Sequence, residues 1–204
     1  VITSSVGPRQ AMLVLGIFPL SDHAKVASGF RIGPDAEADA RVSVFVYASS
    51  VQTEDLIKFS DYFAQEPLDR AIGNLSYPEG GTRTGEAIRF AVDSVFVPEA
   101  GARPESAGIP RVLVVVTDGE SNDPVSNEPL ANAGIVGYAI GVGANVNRTQ
   151  LNDIAGDDGH VYDINNYDDF DNITVAIKSA ACSRENRAPL EGREVDGEDG
   201  THGI

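Results

Sequence analysis

Four short runs of apolar residues, mostly β-branched or aromatic, mark the chain between residues 41 and 164. They cover residues 41–47, 111–116, 134–143 and 160–164. Runs of this length and composition predict β-strands. The run at 111–116 is almost continuously apolar, which is typical of a strand that is covered on both faces in a parallel sheet.

Between these runs, apolar residues recur at helical spacing. Residues 84–96, 149–155 and 168–181 each place such residues on one face, which predicts three amphipathic helices. Strands that alternate with helices indicate an α/β fold with a mostly parallel sheet.

The two ends of the chain are less regular. Residues 8–30 are rich in apolar side chains, but Gly16 and Pro19 interrupt them, so we predict two short helical pieces or one kinked helix there. Residues 183–204 are rich in charge and glycine and carry few large apolar groups. They cannot bury enough surface to offset the entropy of ordering, which predicts a disordered tail or linker. The sequence thus predicts one domain over residues 1–182.

The composition narrows the classes of partner. The chain has 31 acidic and 15 basic residues and a formal net charge of −16, which argues against nucleic-acid phosphates and anionic membrane surfaces as partners. No stretch reaches the ~18 consecutive apolar residues of a membrane span. Three Asn-x-Ser/Thr triplets, at Asn74, Asn147 and Asn172, favour a secreted glycoprotein. The single cysteine, Cys182, is either an inert thiol or the partner of a cysteine upstream of Val1.

Candidate chemistry lies where the predicted strand at 111–116 ends. Asp118 closely follows this strand, and ligands of parallel sheets bind at the carboxyl ends of the strands. A lone Asp there has a second explanation, as the cap of the next helix or as part of a turn. Hydroxyl-rich stretches before two other helical patterns, with Thr3, Ser5 and Thr82, favour a binding site instead. Carboxylate and hydroxyl oxygens without His or Cys suit a hard divalent cation.

No catalytic pattern accompanies these residues. The three histidines are scattered, and neither paired carboxylates nor a nucleophile elbow occurs. The glycine-rich stretch GGTRTG at residues 80–85 lacks the lysine of a phosphate-binding loop. Glu120 and Asp123, beside the candidate site, could tune its charge or bind a partner, but we interpret them as solvated loop residues. We therefore expect a protein that is not an enzyme.

Several motifs follow one another in a specific order. GGTRTG is followed by AI, then by VLVVVTDGESND and AGIVGYAIGVG, with LNDIAG and VYDINNYDDF after them. This series, from about Thr3 to Cys182, resembles the von Willebrand factor type A domain, also called the integrin inserted domain. The resemblance implies a doubly wound sheet and a metal-ion-dependent adhesion site, built from an Asp-x-Ser-x-Ser loop, a Thr and an Asp.

Within that resemblance, the metal-binding Thr matches Thr82 and the metal-binding Asp matches Asp118. The two hydroxyls of the first loop match Thr3 and Ser5. The leading Asp matches Val1, whose side chain binds no metal, so we expect weak metal binding. The family's central first strand would precede Val1 and is expected to be missing. This predicts a marginally stable fragment of a longer chain, unless the apolar stretch AMLVLGIF at residues 11–18 fills the gap.

The resemblance implies an adhesion module. Mg²⁺ or Mn²⁺ would bridge the loop face to an acidic group of an extracellular matrix or cell-surface protein. The chain would be secreted, with neighbouring domains, with no nucleic-acid partner and no membrane insertion, and Cys182 would pair with an upstream cysteine. Two alternatives remain open: a structural or assembly domain with a degenerate metal site, and the regulatory domain of a larger complement-type protease.

Overall fold

Five parallel strands form one sheet in the computed structural model, which describes residues 27–35, 39–76, 78–144, 146–164 and 175 together with the backbone of residues 9–15. In chain order the strands are β1 (Arg9–Leu15), β2 (Ala40–Val46), β3 (Arg111–Thr117), β4 (Ile135–Val142) and β5 (Val161–Ile164). Their order in the sheet is β2-β1-β3-β4-β5. In this order the winding direction reverses between β1 and β3, which is the hallmark of a doubly wound sheet and confirms the predicted fold class.

Helices lie in the described connections from β2 to β3, β3 to β4 and β4 to β5, as parallel pairing requires. They are α1 (Gln65–Gly73), α2 (Thr84–Phe90), α3 (Glu128–Asn132) and α4 (Arg148–Ala155). A π-helical turn at Ala91–Val95 continues α2, and short 3-10 turns lie at Thr53–Asp55, Pro98–Ala100, Glu105–Ala107 and Asp158–His160. The helices predicted at 84–96 and 149–155 are thus confirmed, whereas the one at 168–181 lies outside the described residues except for Val175. No helix in the described part of the chain is both long and apolar enough to cross a membrane.

A strand occupies the centre of the sheet, where we expected one to be missing. The first central strand was expected to be missing, but β1 occupies that place. It pairs along its whole length with β2 on one side, and from Gln10 to Leu15 with β3 on the other. The helical pieces predicted for residues 8–30 are therefore wrong over β1. Its sequence, RQAMLVL, contains neither Gly nor Pro, and the backbone groups of the two neighbouring strands need a partner there.

The interruptions at Gly16 and Pro19 come after β1 in the chain. They therefore do not interrupt β1, and the helical pieces predicted over residues 16–26 lie outside the described residues. The expectation of marginal stability depended on an open gap at the sheet centre. Because β1 fills that gap, this expectation loses its basis.

Two apolar layers enclose the sheet, because alternate residues of each strand point to opposite faces. One layer contains Val44 of β2 and Val114 of β3, together with Leu68 of α1. The other contains Leu113 of β3 together with Ile88 of α2. All five side chains are at most 2% exposed, so β3 is covered on both faces, as its apolar sequence predicts.

Arginines close the amino edge of the sheet. Arg41 Nη1 donates to the carbonyl of Gly101 at 2.8 Å. Arg111 donates to the carbonyls of Phe96 at 2.6 Å and Ala133 at 3.0 Å. These bonds fix the connections before β3 and β4, and they leave the loops of the carboxyl edge as the place for a binding site.

Replacement of Leu13 by Pro should disrupt the sheet. Leu13 pairs with Val44 in β2 and with Val114 in β3, and proline removes a backbone donor from a strand that is bonded on both sides. We expect the cooperative thermal transition seen by circular dichroism to be lost in Leu13→Pro and retained in Leu13→Ile. A Leu13→Pro protein with the wild-type melting temperature would show that β1 is not a central strand.

Candidate functional site

Two loops meet at the carboxyl edge of the sheet, and each carries one predicted site residue. Thr82 lies in the loop before α2, and Asp118 directly follows β3. The Asn122 N–H donates to the Thr82 carbonyl at 2.6 Å, and Ser121 Oγ lies 3.2 Å from the same carbonyl oxygen. The structure therefore brings the Thr82 loop and the Asp118 loop into direct contact.

Six consecutive backbone N–H groups, those of residues 81–86, all donate to acceptors in other loops. The pairs, at 2.6–3.1 Å, are Gly81 to Ser49 Oγ, Thr82 to Asn122 Oδ1, Arg83 to Ala48 O, Thr84 to Ser121 Oγ, Gly85 to Asp123 Oδ1 and Glu86 to Asp123 Oδ2. Free N–H groups at a helix start bind phosphate and other anions. Here all six are satisfied within the protein, which excludes this glycine-rich loop as a phosphate site.

Asp123 caps α2 from a distant part of the chain. We interpreted it as a solvated loop residue, and that interpretation is wrong. Its side chain is 7% exposed and accepts from the N–H groups of Gly85 at 3.0 Å and Glu86 at 2.8 Å. The Ser121 hydroxyl donates to the same carboxylate at 2.8 Å. A negative charge at this position is also favoured by the helix dipole.

Tyr47 forms the floor beneath these loops. Its side chain is fully buried, and its hydroxyl lies 3.1 Å from Thr84 Oγ1. Burial raises the pKa of the Tyr47 phenol, and the negative charges of Asp123 and Asp118 act in the same direction. The phenol therefore stays neutral at physiological pH and supports the start of α2 as an uncharged group.

Thr82 and Asp118 keep free side-chain oxygens at this edge. Within the described ranges, neither the Thr82 hydroxyl nor the Asp118 carboxylate takes part in a hydrogen bond or ion pair. Thr82 is 8% exposed, and Asp118 is exposed. Asp118 does not cap the next helix, because the N-cap of α3 is Asn127. A hydroxyl and a carboxylate without competing partners fit a hard divalent cation.

Few other carboxylates lie where they could bind a cation together with Asp118. No group of three or more His, Cys, Asp or Glu side chains in the described ranges could hold a metal ion. Glu120 is exposed, and its Oε1 accepts from Asn147 Nδ2 at 3.0 Å. A cation at this edge would therefore depend on Asp118 for negative charge, with hydroxyl groups and water as further ligands.

The first-loop residues Thr3 and Ser5 lie outside the described residues, as does Val1. In the chain they come before β1. Leu15, the last residue of β1, pairs with Val116 of β3, so the chain leaves β1 at the carboxyl edge with the residues that follow Leu15. Thr3 and Ser5 stay predictions.

The Asn-x-Ser/Thr triplets have different surroundings. Asn74 is exposed and follows the last residue of α1. Asn147 caps α4, because its Oδ1 accepts from two backbone N–H groups of that helix at 3.0 and 3.3 Å. Asn172 and Cys182 lie outside the described residues, so a glycan on the first and a disulfide of the second stay predictions.

The chain matches one domain family model and is similar to several known proteins. The family model described as "von Willebrand factor type A domain" matches residues 23–176. Matrilin-3 of Homo sapiens is 34% identical over 165 residues, which cover 78% of this chain and 32% of that protein. The transmembrane cell adhesion receptor mua-3 of Caenorhabditis elegans is 31% identical over 170 residues, which cover 81% of this chain and 4% of that protein. The chain spans about a third or less of the length of these relatives.

Solved structures share the fold. Proximal thread matrix protein 1 from the mussel byssus, solved with a zinc-occupied MIDAS motif, matches with a TM-score of 0.71 at 21% identity, over 89% of this chain and 47% of that one. A von Willebrand factor type A protein from Catenulispora acidiphila matches with a TM-score of 0.60 at 15% identity, over 86% of this chain and 43% of that one. At such identities the likeness concerns the fold alone.

Replacement of Asp123 by Ala should destabilise the domain. It removes both acceptors at the start of α2 and leaves the N–H groups of Gly85 and Glu86 without partners. We expect the free energy of unfolding in urea to fall by about 1–2 kcal/mol. The control is Glu79→Ala, which removes an exposed carboxylate from the Thr82 loop and should change this free energy by less than about 0.5 kcal/mol. Equal effects of the two substitutions would contradict the capping role.

Secretion from eukaryotic cells should yield an N-linked glycan at Asn74. Its side chain takes part in no hydrogen bond within the described residues, whereas Asn147 is bonded through both its oxygen and its nitrogen. Peptide mapping after enzymatic deglycosylation measures the occupancy of each triplet. We expect Asn74→Gln to remove a glycan and Asn147→Gln to lower stability without a loss of glycan mass. A glycan found at Asn147 and absent at Asn74 would contradict this assignment.

Proposed function

Because the chain belongs to the von Willebrand factor type A domain family, we propose that it is an extracellular protein-binding module that uses a divalent cation. The cation would be held at the carboxyl edge of the sheet by Thr82 and Asp118 and would bind an acidic group of a protein partner. One observation carries the proposal: these two side chains make no hydrogen bond or ion pair in the described residues, while the backbone N–H groups of residues 81–86 are all bonded.

The side chains at the carboxyl edge of the sheet favour a divalent cation over other ligands. Asp118 supplies a negative charge that is exposed to solvent, and the Thr82 backbone is fixed through its N–H and its carbonyl. Both ligands are oxygens, which suits Mg²⁺ or Mn²⁺. When bound, such an ion supplies a positive charge at which an acidic side chain of the partner can replace a water molecule. The zinc-occupied MIDAS motif of the mussel protein makes Zn²⁺ a necessary competitor in any test.

The setting of the module is inferred from its relatives. Matrilins and a cell adhesion receptor support a place in an extracellular matrix or adhesion protein with further domains. The net charge of −16 suits a partner other than nucleic acid or an anionic membrane. Within this proposal, residues 1–182 form the domain, residues 183–204 form a tail or linker, and the protein has no catalytic activity of its own.

A second candidate is a structural or assembly domain that binds no metal. One observation favours it, namely that Asp118 is the only carboxylate of the proposed ligand set. A single carboxylate attracts a divalent cation less strongly than two. The two candidates differ in whether any cation binds to the isolated protein.

Calorimetric titration with Mg²⁺, Mn²⁺ and Zn²⁺ separates the candidates. We expect weak binding of Mg²⁺ or Mn²⁺ by the wild-type protein. Asp118→Ala should weaken the affinity at least about tenfold, which corresponds to about 1.4 kcal/mol, because it removes the charge that attracts the ion. Thr82→Val should weaken it less, because it removes an uncharged ligand of similar shape.

Glu79→Ala is the matched control, since it removes a carboxylate from the same loop without touching the proposed ligands. Its affinity should equal that of the wild type. Absence of binding for all three cations would leave the assembly domain as the better account. An affinity in Asp118→Ala equal to that of the wild type would place the cation elsewhere.

A further inference from the structure

We infer that Asn122 is a positioning residue that holds Thr82 in place for cation binding. The inference rests on the proposed function, since it assigns a role within the same site. It concerns a residue that the sequence motif does not mark as a ligand, and it depends on contacts between two loops that lie far apart in the chain.

One residue binds both backbone groups of Thr82. The Thr82 N–H donates to Asn122 Oδ1 at 2.6 Å, and the Asn122 N–H donates to the Thr82 carbonyl at 2.6 Å. The two bonds close a ring between the loops and restrict the backbone of Thr82 from both sides. Since the side chain of Thr82 extends from that backbone, the position of its hydroxyl relative to the Asp118 loop is set by Asn122.

The glycines before Thr82 allow this close approach. A Cβ at Gly81 would lie 2.3 Å from Asn122 Oδ1, well inside van der Waals contact. Gly80 has a φ of +125°, which side chains rarely permit, and a Cβ there would lie 2.6 Å from Ser49 Oγ. Two consecutive glycines thus let the loop pass between Ser49 on one side and Asn122 on the other.

The side chain of Asn122 contributes little to the rest of the fold. It is exposed, and within the described residues its side chain has Thr82 as its hydrogen-bond partner. Asn127, in the same connection, differs: its Nδ2 donates to the carbonyl of Ile154 at 2.8 Å and so joins the connection to α4. Loss of Asn122 should therefore loosen Thr82 more than it weakens the domain, and the cation would then have to order the loop on binding.

Three substitutions test this role. Asn122→Ala removes the acceptor for the Thr82 N–H, whereas Asn122→Asp keeps an acceptor oxygen at the same position. Asn127→Ala is the matched control, because it removes a hydrogen bond from the same connection without touching Thr82. For each protein, calorimetry gives the Mn²⁺ dissociation constant, chemical unfolding gives the stability, and amide exchange by NMR in metal-free buffer gives the protection of the Thr82 N–H.

We expect Asn122→Ala to weaken Mn²⁺ binding roughly three- to tenfold, the equivalent of one hydrogen bond, and to speed exchange of the Thr82 N–H. Asn122→Asp should retain wild-type affinity or exceed it, because it keeps the acceptor and adds negative charge. Asn127→Ala should lower stability and leave both the affinity and the Thr82 exchange unchanged.

Unchanged Mn²⁺ affinity and unchanged Thr82 exchange in Asn122→Ala would overturn the inference, as would equal losses of affinity in Asn122→Ala and Asn127→Ala. If the wild-type protein binds none of Mn²⁺, Mg²⁺ and Zn²⁺, the proposed function fails. The positioning of Thr82 is then decided by exchange alone, with faster exchange in Asn122→Ala supporting it and unchanged exchange overturning it.

Discussion

Strand β1 is bonded on both sides, and the place of every other element follows from that pairing. It separates β2 from β3, so the loops that leave these two strands lie on either side of the point where the winding direction reverses. The Thr82 loop passes between them. It takes acceptors from Ala48 and Ser49 after β2, and from the residues 121–123 after β3. The candidate site is thus a product of strand order as much as of the residues that form it.

The start of α2 shows why the carboxyl edge of the sheet favours a cation as its ligand. A helix begins with N–H groups that have no partner in the helix, and they are usually capped by a nearby side chain. The N-cap residue of α2, Arg83, makes no such bond, and the neighbouring loops supply the acceptors instead. Once these donors are satisfied, the edge offers oxygen ligands in place of N–H donors, which favours a cation over an anion.

The sequence predicted most of the sheet and missed what depends on contacts between distant residues. The strands at 41–47 and 111–116 and the helix at 84–96 have long, regular patterns, and they were confirmed to within a residue or two. Helix α1 was not predicted, because its buried side chains are only Leu68 and Ile72, too few to form a clear periodic pattern. β1 was predicted only as an alternative, because Gly16 and Pro19 follow it so closely that a broken helix was the first interpretation of the region.

Contacts between distant residues also limited the prediction of the site. Thr82 and Asp118 could be predicted because Asp118 closely follows a buried strand, Thr82 precedes a helical pattern, and both match the family motif. Asn122 and Asp123 could not, since their partners are separated from them by 37 to 40 residues. Only the crossover through α2 and β3 brings them together. A helix start with no capping residue of its own is the one local signal that could have directed attention to a distant acceptor.

The distant capping of α2 also has a consequence for how the chain folds. The acceptors for the N–H groups of residues 81–86 are 32 to 40 positions away, so the first turn of α2 gains its hydrogen bonds only after loops of that length have closed. Loop closure costs entropy before any contact is gained, and contacts between distant residues slow folding. The binding edge is therefore complete only when the connection that follows β3 has docked against the start of α2.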